Sequence, residues 1–151
     1  MSKVEVGLLS EAKWIVANPQ QDGEVSKGAS RMRHTGSDAD PQLLEVRVNP
    51  GQEVMVHAHE TGEILYIVKG QMNFGKSQLK PGDTVSIPGL ALYSFSAGPE
   101  GVEFLNFRPR RDLTHFTRED VYAMKAMAGD ERAAFVKANV DKTLAHYNMV
   151  D

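Results

Sequence analysis

From Leu43 onward the chain alternates. Leu44, Val46 and Val48 are separated by Glu45 and Arg47, the period-two pattern of a strand with one buried face, and Asn49-Pro50-Gly51 supplies a turn after it. The next two runs are denser. Val54 and Val56 are expected opposite Met55 and His57, and Ile64, Tyr66 and Val68 opposite Leu65 and Ile67, so both faces of each strand read as apolar. One face can line an interior, whereas the other needs cover from a second layer, a terminal segment or another subunit. Short apolar runs continue at Met72 and Phe74, over 84–87, at Tyr93 and Phe95, and over 102–107. They are punctuated by Gly70, Gly75, Lys80-Pro81-Gly82-Asp83, Pro88-Gly89 and Arg108-Pro109. Many short strands between turn signals predict an all-β antiparallel sandwich or barrel.

The ends follow other patterns. Residues 1–17 hold a short apolar piece, Leu8, Leu9, Trp14, Ile15 and Val16, with Ser10 placed to cap a helical turn before Glu11. The stretch 18–41 reads as a long polar connection, dense in Gly, Ser, Asp and Pro. Within it Arg31, Arg33 and His34 are candidates to meet an anionic substrate near a barrel mouth; the alternative is a solvated basic loop. Thr117 precedes Arg118, Glu119 and Asp120 as a helix start, and Gly129-Asp130 interrupts before a second helical run. In that run Ala134, Phe135, Ala138, Leu144, Ala145 and Met149 approximate an apolar face. His115 and His146 have no partner at ligand spacing and read as structural or surface residues. The expected organisation is an extension and loop over 1–41, a barrel over 42–112 and a helical extension over 113–151.

Composition narrows the chemistry. A chain of 151 residues with 41% apolar and 25% charged residues is ordinary globular usage and long enough for a real core. A net charge of -3 gives no general attraction to nucleic acid or to an anionic membrane. The expected partner is therefore a small molecule. With no cysteine, disulfides, thiol nucleophiles and thiolate metal sites are excluded, which leaves nitrogen and oxygen ligands. No run has the length or apolar character of a signal peptide or bilayer span, so a cytoplasmic location is expected.

The candidate chemistry lies in the stretch 51–70. Residues two apart on a strand face the same way, so His57 and His59 are expected to project together, with Met55 beside them. Glu63 follows after an interval containing Gly62, and a turn there returns its carboxylate towards the two imidazoles. Two histidines and one carboxylate on one side of a metal form a facial triad, with positions left open for water, dioxygen or a chelating substrate. Tyr93 and Phe95 share a strand face and are expected to line the same interior.

This spacing resembles a family signature. Gly51, five residues, His57, one residue, His59, three residues, Glu63, six residues and Gly70 match the first motif of the cupins at every marked position. Gly82, five residues and Pro88 open the second motif, which then departs: Leu90 and Tyr93 stand where the family pattern has glycine and histidine. The resemblance implies a single cupin-type double-stranded antiparallel β-barrel, or jelly roll, with C-terminal helices added. It implies a divalent metal on His57, His59 and Glu63, with Fe(II) foremost and Zn, Ni or Mn as alternatives. Tyr93 is then a fourth ligand, a hydrogen-bond donor or general acid towards substrate, or an aromatic wall residue. The activity implied first is that of a non-haem iron, dioxygenase-like oxidoreductase acting on a small oxygen-bearing molecule. A metal-dependent lyase, isomerase or cyclase using proton transfer comes next, and a non-catalytic sugar- or metabolite-binding module third. The apolar outer positions Val54, Val56, Ile64, Tyr66 and Val68 further predict a homodimer.

Overall fold

Antiparallel pairing organises the strands into an eight-stranded sheet in a computed structural model that describes residues 3–16 and 28–146. The strands are β1 (Ile15–Val16), β2 (Gly28–His34), β3 (Gln42–Val48), β4 (Glu53–His57), β5 (Glu63–Phe74), β6 (Ser77–Leu79), β7 (Thr84–Ile87) and β8 (Tyr93–Arg108). The main path runs β1-β2-β3-β8-β5-β6, while β4 adds to β8 and β7 to β5. The long strands β5 and β8 pair along both halves. Their register breaks between Ile67 and Lys69 and again between Gly70 and Met72, and there the sheet folds over to make the double-layered β-architecture expected from the sequence. The corner depends on glycine: Gly70 has φ 77°, and a Cβ on it would lie 2.1 Å from the Gly101 carbonyl oxygen. An L side chain fits neither that backbone nor that space.

The interior is apolar in its middle and polar at one end. Leu65, Ile67 and Met72 of β5 are fully buried among Phe95, Ala97, Val102 and Phe104 of β8, and full burial of each such large side chain contributes roughly 1.5–3 kcal/mol. Towards the ends of the same strands the inward positions become Glu63, Asn106 and Arg108, all buried. On the outside Ile64, Tyr66, Val68 and Phe107 remain exposed by 41–50%. Val54 departs from the outward set: it packs against the core.

The expected connection over 18–41 contains a strand. β2 pairs with β3 from Gly28↔Val48 to His34↔Leu43, with a bulge between Met32 and His34, and residues 17–27 lie outside the described residues. At the N-terminal side Leu9–Glu11 form one 3-10 turn, but Ser10 does not cap it; the preceding position is Leu8, with no side-chain cap.

Two helices follow the barrel, α1 (Arg118–Met124) and α2 (Gly129–His146). Thr117 and Asp120 make reciprocal side-chain to backbone bonds at the start of α1, the capping box implied by their spacing. Phe116, Val121 and Met124 form a second apolar cluster with Ala58, against which Leu90, Leu92, Phe135 and Val136 pack. The helices thus cover the region of Ala58 rather than the outer face of β5. The packed side of α2 runs through Phe135, Val136, Asn139, Val140, Thr143 and Leu144, whereas Ala134, Ala138 and Ala145 are exposed. Met149 and the His146 side chain lie outside the described residues. Among the described residues, no helix is long and apolar enough to cross a membrane.

Candidate functional site

The direction of His57 is set by an irregularity that strict alternation does not reveal. Val54 pairs with Phe95 and His57 with Tyr93, so one extra residue is accommodated in β4, a bulge that re-aims the following side chain. Met55 is consequently 65% exposed while His57 is buried, and Met55 does not share the inward face predicted for it. Beyond β4, Ala58 and Phe116 form an isolated antiparallel bridge, each backbone N–H donating to the other's carbonyl at 2.9 and 2.8 Å. Ala58 points into the helix-covered cluster, and His59 turns back into the site. The loop of the second motif presses on this segment: Leu90 N–H donates to His59 O at 2.8 Å. Leu90 adopts φ 62° where the family pattern has glycine, a left-handed conformation that costs an L residue roughly 1–2 kcal/mol. Its side chain packs on the Phe116 cluster, which offsets that cost.

His57, His59, Glu63 and Tyr93 come together at the polar end of the barrel. His57 donates from Nδ1 to Met55 O at 2.8 Å, and His59 Nδ1 donates to the Thr114 carbonyl. Carbonyls only accept, so each ring carries its proton on Nδ1 and presents an Nε2 lone pair to the site. His57 Nε2 lies 3.0 Å from the Tyr93 hydroxyl, and His59 Nε2 lies 3.9 Å from Glu63 Oε1. Tyr93 donates to Glu63 Oε1 at 2.5 Å, while Asn106 Nδ2 and Arg108 Nε donate to Oε2 at 2.8 and 3.1 Å. His57 Nε2 and Glu63 Oε1 therefore compete for the single proton of Tyr93, and His59 Nε2 faces Glu63 Oε1 with no proton between them. Among the described residues no group of three or more His, Asp or Glu side chains is arranged to hold a metal ion as the side chains stand; the Tyr93 hydroxyl stands between His57 and Glu63.

The electrostatics keep both histidines neutral. Burial pushes the His59 ring down to about 3, reinforced by the Arg108 charge, and burial likewise lowers His57. Burial alone drives the Glu63 carboxyl up; with His59 neutral, the Arg108 guanidinium and the Tyr93 and Asn106 hydrogen bonds outweigh it and hold Glu63 ionised. Burial and the neighbouring carboxylate push Tyr93 upward, so it remains a neutral phenol.

The other sequence candidates lie elsewhere. Arg31 makes a two-pronged ion pair with Glu45 at 2.8 Å, and Arg33 reaches Glu45 at 3.3 Å and Gly7 O at 3.1 Å. These groups occupy the outward side of β2 and β3, where the Arg31 and Arg47 guanidinium groups lie over the Trp14 ring, 4.3 and 4.4 Å from its centroid. His34 pairs opposite Leu43 on that side and its ring lies beside Gly7. The structure thus separates Arg31, Arg33 and His34 from the candidate site. Phe95 does lie inward, but as a packed core residue edge-on to Phe104.

Conversely, sequence reasoning passed over Asn106, Arg108, Asp112 and Thr114, and it read His115 as a structural or surface residue, whereas that ring lies against His57. His115 comes from the loop after β8 and its ring lies parallel to His57, with centroids 4.7 Å apart. The Ala58↔Phe116 bridge explains this, since it sets the residues flanking Phe116 beside those flanking Ala58. A signal for Asn106 and Arg108 was available: they continue the inward period of Val102 and Phe104, and polar residues at inward strand positions call for a buried partner.

The strand pairing and the two helices after it define the class: the chain has the cupin fold, in its small single-barrel form. Among solved structures it is similar to KdgF from a Halomonas species, at 22% identity over 72% of this chain and 96% of that one, with TM-score 0.58. It is also similar to the polyketide cyclase RemF from Streptomyces resistomycificus, at 20% identity over 95% and 98% of the two chains, TM-score 0.56. A proposed acetylacetone dioxygenase from Methylibium petroleiphilum shares 13% identity over 80% and 85%, TM-score 0.62. No protein-family model and no curated protein matches the sequence.

Proposed function

We propose that this end of the barrel holds a divalent metal ion on His57, His59 and Glu63, and that the protein is a cupin enzyme acting on a small oxygen-bearing molecule. The observation that carries this reading is the shortage of protons. Among the described residues, two Nε2 lone pairs and Glu63 Oε1 face a region where Tyr93 supplies a phenolic hydrogen, and a cation is a partner suited to such a set of acceptors. When bound, the ion supplies Lewis acidity and, if it is iron, electron exchange with dioxygen. The protein's own residues do the rest. Met55 O and Thr114 O fix the two rings, Asn106 and Arg108 occupy Glu63 Oε2 so that Oε1 faces inward, and Tyr93 presents a neutral O–H.

An oxygenase with Fe(II) is the first reading, because two imidazoles and a carboxylate leave adjacent positions for two further ligands. Proton transfer in a lyase, isomerase or cyclase is the second, supported by the Tyr93 hydroxyl held within the donor cluster. Solved structures of this fold bear names of both kinds, so the fold does not choose between them. The test is metal content after purification without added metal. About one ion per chain is expected for the wild type and much less for folded His57→Ala and His59→Ala, whose core spans many other residues. Wild-type content in both variants contradicts the site. With a panel of small β-dicarbonyl and hydroxyketone compounds, oxygen uptake supports the first chemistry and anaerobic turnover the second.

A further inference from the structure

We propose that Asp112 and Thr114 are positioning residues that aim both His59 and Glu63, which makes the loop after β8 a working part of the site. The inference rests on the metal-binding reading above. Asp112 is buried and accepts four hydrogen bonds. Its Oδ2 receives Thr61 N–H at 2.8 Å and Thr61 Oγ1 at 2.9 Å; its Oδ1 receives Thr114 N–H at 2.8 Å and Thr114 Oγ1 at 2.6 Å. Thr61 lies in the turn between His59 and Glu63, so one carboxylate ties that turn to the loop. Each end of the tie then reaches one candidate ligand. The Thr114 carbonyl accepts from His59 Nδ1, and the Thr114 hydroxyl accepts from Glu60 N–H at 2.8 Å. The Asp112 carbonyl accepts from Arg108 Nη1, and Arg108 Nε binds Glu63 Oε2 at 3.1 Å. Moving Asp112 therefore disturbs the ring orientation of one ligand and the carboxylate orientation of the other. Partners of this kind also fix a ligand's tautomer, and their loss typically weakens metal binding about 10–100-fold.

Asp112→Asn has one acceptor oxygen where four donors converge, and Thr114→Val removes the bridging hydroxyl that Thr114→Ser retains. The first measurement is the His59 tautomer, read by long-range proton–nitrogen NMR on protein dialysed against EDTA. Wild type and Thr114→Ser should show the Nδ1–H form alone, while Asp112→Asn and Thr114→Val should show a mixture. The second is Zn(II) affinity by chelator competition at a temperature where all variants are folded, expected to fall by about 10-fold or more in the two disruptive variants. A lower melting temperature with unchanged tautomer and zinc affinity would reduce the residues to scaffold and overturn the proposal. If Asp112→Asn does not fold, the Thr114→Val and Thr114→Ser pair decides. Absence of zinc binding by the wild type would defeat the metal reading alone, because the tautomer still tests the positioning role.

Discussion

Replacing Tyr93 by Phe removes one oxygen and keeps the ring that stacks with Phe74 and Phe95 at centroid distances of 6.0 and 6.4 Å. The lost interaction is the 2.5 Å hydrogen bond to Glu63 Oε1. Asn106 and Arg108 both serve the other carboxylate oxygen, so neither replaces it. A hydrogen bond to a charged group contributes about 1.5–3 kcal/mol, and a volume-conserving change adds little packing cost. Metal-free Tyr93→Phe should therefore be less stable by about 2 kcal/mol, or about 4–8 °C in melting temperature for a domain of this size. An ion on Glu63 Oε1 supplies what the phenol supplied, so the difference should shrink in the metal-loaded protein. By linkage the variant should then bind the ion up to roughly 30-fold more tightly, while turnover falls at least about tenfold, equivalent to about 1.4 kcal/mol. Urea unfolding of EDTA-dialysed protein followed by zinc titration measures both stability and affinity. A midpoint and slope equal to wild type, with unchanged zinc affinity, would show that Tyr93 is only a wall of the interior.

Acid should destabilise the metal-free protein. The native state holds His57 and His59 neutral below the ordinary value of 6.5, so below that pH the unfolded chain binds more protons and stability falls, by up to about 1.4 kcal/mol per pH unit for each histidine. Chemical denaturation between pH 7 and pH 5 measures this, and a flat or rising profile contradicts it. The exposed outer row Ile64, Tyr66, Val68 and Phe107 leads us to expect a homodimer. Light scattering should give twice the chain mass for wild type and the monomer mass for Phe107→Glu; monomer mass for wild type across a wide concentration range removes the expectation. His115 is exposed while the parallel His57 ring is buried, so His115→Ala should leave metal content intact and raise KM more than it lowers kcat. Loss of the ion in that variant would instead make His115 a ligand.

The strands with strong alternation were legible because burial on one face constrains residue type. Inward Val46 and Val48, and the buried row Leu65 and Ile67, follow their sequence period. β2 was not legible: GASRMRH has no apolar alternation, and its place is fixed by pairing with β3 and by Arg31 reaching Glu45. The bulge before His57 removed Met55 from the inward face for a related reason, since one added residue reverses a period-two reading without leaving a mark in composition. The spacing of His57, His59 and Glu63 was visible in the sequence; in the structure the two ring centroids lie 5.0 Å apart and His59 Nε2 is 3.9 Å from Glu63 Oε1. What it could not supply was the ring of partners around them, because Asn106, Arg108 and Thr114 follow their partners by 43, 45 and 55 residues. Leu90 was not legible for another reason: a non-glycine residue gives no sign of the left-handed backbone that it adopts here in place of the glycine of the family pattern.

The bond from His59 to the Thr114 carbonyl also orders events in time. Thr114 follows His59 by 55 residues, an interval that a ribosome adding roughly 5–20 residues per second covers in about 3–11 seconds. Throughout it the emerging histidine pair lacks the carbonyl that fixes one of its rings, and Ala58 lacks its bridge to Phe116. The nascent polypeptide can thus begin to collapse around its apolar strands before its imidazoles have a settled orientation. If an ion binds as proposed, its capture in the mature geometry has to await the residues beyond the last strand, and loading would come late in the making of the chain.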